Sequence, residues 1–204
     1  MTLIKFDHIA PIYDHFMLPF ERGALKRWRR KLWEGVKGGA VLEVGVGTGA
    51  NLPFYPEGGA VVGLDRSVRM LRRARGRGLE MAVLGDVEAL PFGDATFDDV
   101  VSTLVFCSVG DVAKALREVR RVLKPGGLLH MIEHGRPEDW KGPLFDLLNP
   151  LTVLLMEEHI NRNVHAAVVA AGYEVLKVEN LTGDGLFKLI VARRPPDPRY
   201  NRGL

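Results

Sequence analysis

The chain has 204 residues, of which 47% are hydrophobic and 26% are charged, and this profile excludes disordered, collagen-like and coiled-coil proteins. A chain of this length buries on the order of 70% of the surface that it exposes when unfolded, so we expect one domain with a substantial core. The 28 basic and 25 acidic residues give a net charge of +3, which does not by itself indicate nucleic-acid binding. The single cysteine, Cys107, excludes an intramolecular disulfide and multi-cysteine metal sites, which favours a reducing cytoplasm.

The first 37 residues are predicted to be helical. Phe6 to Leu18 has the pattern of a short helix interrupted near Pro11, and Phe20 to Val36 that of a longer helix ending before Gly38-Gly39. No basic segment precedes an apolar core here, so we expect no signal peptide. Arginine outnumbers lysine by 19 to 9 and glutamine is absent, which favours a heat-adapted host, although genomic base composition can produce the same bias.

After residue 38, short apolar runs alternate with helical patterns, which is typical of buried parallel strands joined by helices. Five runs are predicted strands: Ala40 to Val44, Ala60 to Leu64, Met81 to Leu84, Phe97 to Thr103 and Leu128 to Glu133. Helical spacing covers Ser67 to Arg75 and Val112 to Leu123. The second helix has Asp111 as its predicted N-cap and Pro125-Gly126-Gly127 as its stop.

The C-terminal part is predicted to contain one helix, Ile160 to Ala171, and two strands, Tyr173 to Glu179 and Leu186 to Arg193. The turn between these strands is too short for a crossover, so they must pair antiparallel. We therefore expect an α/β fold with a doubly wound, mostly parallel seven-stranded sheet and one antiparallel strand, whose ligand lies at the carboxyl ends of the strands. Within this single domain we distinguish a helical cap (1–37), a cofactor-binding core (38–135), an apolar insertion with a helix (136–172) and a strand pair with a tail (173–204).

A glycine-rich loop, Glu43-Val-Gly45-Val-Gly47-Thr-Gly49, follows the first predicted strand and lets a ligand approach the backbone closely. Gly45, Gly47 and Ala50 also satisfy the G-x-G-x-x-A form of a dinucleotide site. Glu43 favours a ligand with an ammonium and a sulfonium, since a carboxylate at the loop would repel a pyrophosphate. Asp65 ends the second strand, where it can accept hydrogen bonds from ribose hydroxyls of either ligand.

Five motifs in this order resemble the class I S-adenosylmethionine-dependent methyltransferases over nearly the whole chain. They are Glu43-Val-Gly-Val-Gly-Thr-Gly, Asp65, Gly85-Asp86, Leu90-Pro-Phe-Gly-Asp-Ala-Thr-Phe-Asp and Leu123-Lys-Pro-Gly-Gly. The resemblance implies a Rossmann-like fold and S-adenosylmethionine as the methyl donor. It also implies that Glu43, Gly45 and Gly47 line the methionine end of the cofactor and that the Thr103 backbone binds its ammonium. Asp65 with its neighbour Arg66 would hold the ribose, and Asp86 with the Val87 amide would contact the adenine edge.

The opening Phe6-Asp-His-Ile-Ala-Pro-Ile-Tyr13-Asp14 resembles that of the quinone and phospholipid branches of this family, in which the segment folds over the cofactor. Tyr13 is then a candidate contact to the methionine carboxylate near the reacting sulfonium; the alternative is a tyrosine that packs a helix. Leu104-Val-Phe-Cys-Ser-Val109 and Met131-Ile-Glu-His134 resemble small bacterial phosphatidylethanolamine N-methyltransferase-like proteins, and thiol S-methyltransferases share much of this pattern. Ile160-Asn-Arg-Asn163 favours the phospholipid branch.

Methyl transfer from a sulfonium needs few catalytic residues, because positioning and desolvation supply most of the acceleration. A protonated amine acceptor must first lose a proton, and Glu133 and His134 are the candidate bases beside Tyr13. They point to opposite faces of a strand, so we expect only one to reach the substrate. The alternative for His134 is that its ring only hydrogen-bonds the backbone of a loop. The histidines are too far apart to share an ion, so no metal site is predicted.

Two segments indicate a lipid-like acceptor. Residues 143–156 are strongly apolar, shorter than a membrane span, and lie where this family places substrate-covering elements; a core helix is the alternative. Leu25, Trp28 and Leu32 form a stripe among basic residues, which predicts reversible docking on an anionic membrane surface unless the stripe packs on the sheet. We therefore expect a cytoplasmic enzyme, peripheral to the inner membrane face, that methylates the amine of phosphatidylethanolamine. The alternatives are a thiol S-methyltransferase, a quinone C-methyltransferase and, from another class, an NAD-dependent oxidoreductase.

Overall fold

The computed structural model describes residues 23–137, 139–156 and 159–196. The predicted helix Phe6 to Leu18, the start of the next helix and Tyr13 lie outside the described residues. The described helices are α1 (Ala24–Trp33), α2 (Val68–Gly76), α3 (Val112–Val122), α4 (Gly142–Met156) and α5 (Val164–Ala170), with a 3₁₀ turn at Leu52–Phe54. The strands are β1 (Ala40–Val44), β2 (Ala60–Asp65), β3 (Met81–Leu84), β4 (Phe97–Thr103), β5 (Leu123–His134), β6 (Glu174–Asn180) and β7 (Phe187–Arg193).

The seven strands form one sheet in the order β3-β2-β1-β4-β5-β7-β6. Strands β1 to β5 are parallel, and β7 lies between β5 and β6 and runs antiparallel to both. This confirms the predicted mostly parallel sheet with one reversed strand. The order turns back at β1, which lies between β2 and β4, so the crevice for a ligand opens at the carboxyl ends of these strands.

Both faces of the sheet are covered by helices, which explains the continuous apolar runs of its central strands. On one face Leu129 and Met131 of β5 belong to the largest buried cluster, which includes side chains of α3 and α5. On the other face Ile132 of β5 packs in a second cluster with Leu32 and Trp33 of α1. Successive residues at the end of β5 therefore face different helices.

One predicted helix cap is confirmed by the structure, and one predicted strand boundary is not. The Asp111 side chain caps α3 by accepting a hydrogen bond of 2.9 Å from the N–H of Lys114, as predicted. The prediction that β5 begins at Leu128 was wrong, because the strand begins at Leu123 and runs through Lys124-Pro-Gly-Gly. Phe97 pairs with Leu123 and Asp99 with Leu128, so a bulge accommodates the glycine pair without ending the strand.

The apolar stripe of α1 packs against the sheet. Leu25 and Leu32 are 5% and 1% exposed, and the Trp28 ring lies 5.2 Å from the Phe187 ring of β7. The prediction that this stripe inserts into a membrane was therefore wrong, because its side chains are part of the core. Among the described residues, no helix has the length and apolar character needed to span a bilayer.

Candidate active site

The glycine loop after β1 has a backbone that other residues rarely adopt. Gly45, Gly47 and Gly49 have φ values of 66°, 56° and 86°, all in the left-handed region. A Cβ atom at Gly45 would also overlap the Val105 side chain, which belongs to the loop after β4. Gly45 therefore makes room for Val105, whereas a Cβ atom at Gly47 would meet no atom closer than 4.0 Å, so the backbone at Gly47 is open to a ligand.

Asp65, the last residue of β2, is hydrogen-bonded to this loop. Its Oδ2 accepts a hydrogen bond of 2.9 Å from the N–H of Gly47, and its Oδ1 accepts one of 2.8 Å from the N–H of Ser67. Burial raises the pKa of the carboxyl group, and these hydrogen bonds oppose that shift. A carboxylate oxygen has more than one acceptor site, so Asp65 can still accept hydrogen bonds from ribose hydroxyls.

Glu43 lies in a buried hydrogen-bond network beneath the loop rather than at its mouth. It is 2% exposed, and its carboxylate accepts hydrogen bonds from the Tyr55 hydroxyl and, at 2.7 Å, from Nδ2 of Asn51. Burial raises the pKa of Glu43 to about 7, against the opposing effect of these hydrogen bonds. A carboxyl group with such a pKa is stabilised in its ionised form by a cation bound close by, which fits an ammonium or a sulfonium.

The network extends from β1 to two other elements. Nδ2 of Asn51 also donates to the Thr103 hydroxyl at 3.1 Å, and Oδ1 of Asn51 accepts from Nη1 of Arg29 at 2.9 Å. Arg29 lies on α1 and is only 6% exposed. Sequence reasoning missed Asn51, Tyr55 and Arg29, because each reaches Glu43 or its partners only through the tertiary fold.

The other predicted cofactor residues follow the same edge of the sheet. Arg66 directly follows Asp65, and its charge lowers the pKa of that carboxyl group. Asp86 follows β3 and is exposed, and its Oδ1 accepts a hydrogen bond of 2.9 Å from the N–H of Glu88, while Val87 is buried. Thr103 ends β4 and is 8% exposed. The structure thus places the predicted residues at the carboxyl ends of four neighbouring strands.

Glu133, in β5, holds the loop that follows β4. Its Oε1 accepts hydrogen bonds from the hydroxyl of Ser102 at 3.1 Å and from the N–H groups of Val105 and Phe106 at 3.0 and 3.2 Å. Leu104, at the start of this loop, has φ of 58°, which is unusual for a residue other than glycine. Burial raises the pKa of Glu133 to about 7. This side chain is therefore engaged in positioning the loop whose Val105 lies against Gly45.

His134 faces the opposite side of β5, as the strand geometry predicts. Its ring packs edge-on against Phe187 with centroids 6.1 Å apart, on the α1 side of the sheet. Burial lowers the pKa of this histidine, so the ring is neutral at pH 7 and can accept a proton. The ring is half-buried at the carboxyl end of the sheet.

The other polar side chains of interest have structural partners. Nε2 of His130 lies 3.0 Å from Oδ1 of Asp99 in the core, and the buried Cys107 donates to the carbonyl oxygen of Leu104. In the part of the chain that the structure describes, no three metal-binding side chains are grouped so that they could hold an ion.

The fold and these residues define a doubly wound α/β domain with a glycine loop and buried carboxyl groups at the carboxyl ends of its strands. Residues 42–131 match the family described as methyltransferase domain. A solved structure of an S-adenosylmethionine-dependent methyltransferase from Thermotoga maritima superposes with a TM-score of 0.74 at 24% identity, covering 93% of this chain and 98% of that one, which supports the fold.

Three curated relatives are methyltransferases of different acceptors. A demethylmenaquinone methyltransferase of Renibacterium salmoninarum is 39% identical over 65% of this chain and 58% of its own length. The thiol S-methyltransferase TMT1A of Homo sapiens is 33% identical over 74% and 66%. The phosphatidylethanolamine N-methyltransferase of Cereibacter sphaeroides is 40% identical over 53% and 56%. The chain spans a little over half to about two thirds of the length of these relatives.

The chain belongs to the class I S-adenosylmethionine-dependent methyltransferases. This family implies S-adenosylmethionine as the methyl donor, and the residues present fit it. The open backbone at Gly47 admits a ligand, and the buried carboxyl group of Glu43 suits its positive charge.

Proposed function

We propose that this protein transfers the methyl group of S-adenosylmethionine to a lipid-like acceptor, most directly the amine of phosphatidylethanolamine, at a membrane surface. One observation carries the lipid-like acceptor. Apolar side chains on and next to α4 are exposed at helical spacing: Trp140 (79%), Leu144 (46%), Leu147 (75%), Leu148 (40%) and Leu151 (52%). A contiguous exposed apolar stripe is the signature of a surface that contacts a hydrophobic ligand or a membrane.

The stripe is close to the candidate active site along the chain and through contacts. Asp146 of α4 binds Nε of Arg136 at 3.0 Å, two residues beyond His134 in β5. Oδ1 of Asn149 accepts a hydrogen bond of 3.0 Å from the N–H of Ile160, just before α5. Helix α4 is therefore anchored to both segments that flank the carboxyl end of β5, where it can cover the acyl chains of an acceptor.

We propose the following roles in cofactor binding. Glu43, Gly45 and Gly47 hold the methionine end, and Thr103 offers its backbone to the ammonium. Asp65 and Arg66 hold the ribose, while Asp86 and the Val87 amide contact the adenine. Tyr13 lies outside the described residues, and its contact to the methionine carboxylate stays a prediction.

The proposed chemistry assigns different tasks to the two neighbouring residues of β5. S-adenosylmethionine, when bound, supplies a methyl carbon activated by its sulfonium. An ethanolamine headgroup is mostly ammonium at neutral pH, so its proton must leave before nitrogen can attack. His134, whose pKa is lowered by burial, accepts that proton on a ring nitrogen. Glu133 acts through the loop after β4, because its Oε1 is engaged by three donors there.

The acceptor is tested by offering three classes of substrate to the full chain. Methyl-labelled S-adenosylmethionine is supplied with phosphatidylethanolamine vesicles, with an alkyl thiol, or with a demethylated quinone in detergent. The proposal predicts the highest rate on phosphatidylethanolamine and loss of that rate in His134→Gln. Faster label transfer to the thiol or to the quinone would reject the phospholipid and assign the chain to that acceptor class, for which relatives exist at similar identity.

A further inference from the structure

A cavity of about 170 Å³ lies at the carboxyl end of β5 on the α5 side of the sheet. Its lining comes from the end of β5, from Arg136 just after it, from Arg162 and His165 around the start of α5, and from Lys188 of β7. Its volume is many times the roughly 10–15 Å³ that one water molecule requires. The cavity can therefore hold a group of several atoms next to the candidate active site.

The cavity lining is rich in cations. Arg136, Arg162 and Lys188 line it together with His165, whereas Glu133 is the one acidic residue among the lining side chains. Arg136 is paired with Asp146 at the surface, where both side chains are more than two-fifths exposed. Such exposed ion pairs are weak, so this guanidinium can exchange partners at little cost.

The guanidinium of Arg162 has N–H groups that make no hydrogen bond to another described residue. Among the described residues it donates only through Nη1, to the carbonyl oxygens of Phe106 and Val109 at 2.5 and 2.6 Å, and it forms no salt bridge there. Burial lowers the pKa of this guanidinium, and the nearby Cys107, Glu133 and Glu88 oppose that shift without cancelling it. Its Nε and Nη2 groups are therefore suited to an anionic ligand.

Glu133 adds a second unsatisfied group to the same place. Its Oε1 has three donors, whereas its Oε2 is buried and has no hydrogen-bond partner among the described residues. Buried polar atoms without a partner are rare, and one beside a cavity indicates a missing ligand or water. With a pKa near 7, this carboxyl group is protonated in part of the molecules at neutral pH and can then donate to an anion.

We propose that this cavity binds a phosphate group through Arg162 and Lys188, and that in the proposed function this is the phosphodiester of the acceptor headgroup. The identity of this phosphate as the phosphodiester of the acceptor rests on the proposed function. A guanidinium and an ammonium, the groups that Arg162 and Lys188 contribute to the lining of this cavity, are usual ligands of phosphate in proteins. Neither a thiol nor a quinone ring carries a phosphate group, so a phosphate site favours the phospholipid among the three acceptors.

The proposal is tested on the full chain by calorimetry with three probes: inorganic phosphate, glycerophosphoethanolamine and ethanolamine. We expect the first two to bind, ethanolamine to bind more weakly, and Lys188→Gln to weaken phosphate binding about tenfold. Lys177→Gln on the neighbouring β6 is the matched control, since this lysine is exposed and pairs with Glu179 outside the cavity. Arg162→Lys gives a second test, because it keeps the charge but loses the planar set of donors.

Each outcome decides the proposal. Phosphate affinity that is equal in the wild type and Lys188→Gln, or no binding to the wild type, overturns it. Binding of inorganic phosphate without glycerophosphoethanolamine supports a phosphate site but overturns the headgroup as its source. If label goes only to a thiol while Lys188→Gln still loses phosphate, the proposed function fails and the phosphate site stands. If phosphatidylethanolamine is methylated equally by wild type and Lys188→Gln, with equal KM, the function stands and the headgroup assignment fails.

Discussion

The backbone N–H of Gly47 donates a hydrogen bond of 2.9 Å to Oδ2 of Asp65, and this contact joins the glycine loop after β1 to the end of β2. Asp65 therefore has two tasks: it shapes the loop, and it faces the edge where the ribose is proposed to bind.

Asp65→Ala is expected to weaken S-adenosylmethionine binding by about 2 kcal/mol, because charge-assisted hydrogen bonds to the ribose and the brace on Gly47 are lost together. Isothermal titration of the cofactor measures this loss. Asp94→Ala, a change at an exposed aspartate paired with Arg121, is the control and should bind like the wild type. Unchanged affinity in Asp65→Ala would remove this residue from the cofactor site.

The buried carboxyl group of Glu43 should make cofactor affinity depend on pH. Its pKa of about 7 means that the group is partly protonated near neutrality, and a bound cation favours the ionised form. Binding should therefore release protons and strengthen as pH rises from about 6 to 8. Glu43→Gln should flatten this dependence in titrations at several pH values, whereas an unchanged pH dependence in that variant would contradict the assignment.

The raised pKa of Glu43 also makes the free energy of unfolding depend on pH. The folded pKa of Glu43 lies above its ordinary value of 4.5, so the folded state binds more protons than the unfolded state between pH 4.5 and about 7. The free energy of unfolding should fall as pH rises through this interval, by at most about 3 kcal/mol for this residue. Urea unfolding at pH 5 and pH 8 measures the fall, and Glu43→Gln should show a smaller one. An equal fall in both proteins would contradict the prediction.

Glu133→Gln and Glu133→Ala distinguish positioning from proton transfer. Glutamine keeps an oxygen for the N–H groups of Val105 and Phe106, so this variant should retain folding and most of the cofactor affinity. Alanine leaves these donors unpaired and should lower the free energy of unfolding by about 2–4 kcal/mol and weaken the cofactor. Thermal melts and cofactor titrations test both variants. A glutamine variant that binds cofactor normally but transfers no methyl group would instead identify Glu133 as the base.

His134→Gln should lower turnover on an amine about a hundredfold while cofactor affinity stays nearly unchanged, since the role proposed is proton removal. The wild-type rate should rise with pH until the ring is neutral, at a pH below the usual histidine pKa of 6.5. His159→Gln is the matched control, because its backbone N–H rather than its ring contacts Cys107. Wild-type rates in His134→Gln across the pH range would leave this histidine a structural role.

The stripe beside and along α4 predicts binding to lipid. Leu147→Asp should reduce co-sedimentation with phosphatidylethanolamine vesicles severalfold without changing the melting temperature, because this side chain is 75% exposed. Leu176→Asp on β6 is the control, since it also charges an exposed leucine but lies outside the stripe. Equal sedimentation of both variants and the wild type would show that the stripe does not contact lipid.

Some of the architecture could be predicted from the sequence because local signals agree with the tertiary structure. Strands β1, β3 and β4 have the predicted bounds, since β1 and β3 are followed by glycines and β4 ends on the polar pair Ser102-Thr103. The course of β5 could not be predicted, because Pro125-Gly126-Gly127 has the composition of a turn, while Leu123 before it and Leu128 after it both pair with β4.

The function of amphipathic faces could not be predicted from periodicity. Leu25 and Leu32 on α1 have the spacing of an interfacial helix, and the same spacing serves core packing, which is what the structure adopts. The hydrogen-bond network around Glu43 could not be predicted from the sequence either. Tyr55 donates to Glu43, and Arg29 donates to its partner Asn51, only when α1 and the loop after β1 pack together.

Mass spectrometry of phosphatidylethanolamine vesicles incubated with the full chain and S-adenosylmethionine shows whether the phospholipid is the acceptor. We expect N-methylated phosphatidylethanolamine, with S-adenosylhomocysteine formed in equal amount and both products lost in Asp65→Ala. Turnover of S-adenosylmethionine on a thiol or quinone without any methylated phospholipid would contradict it.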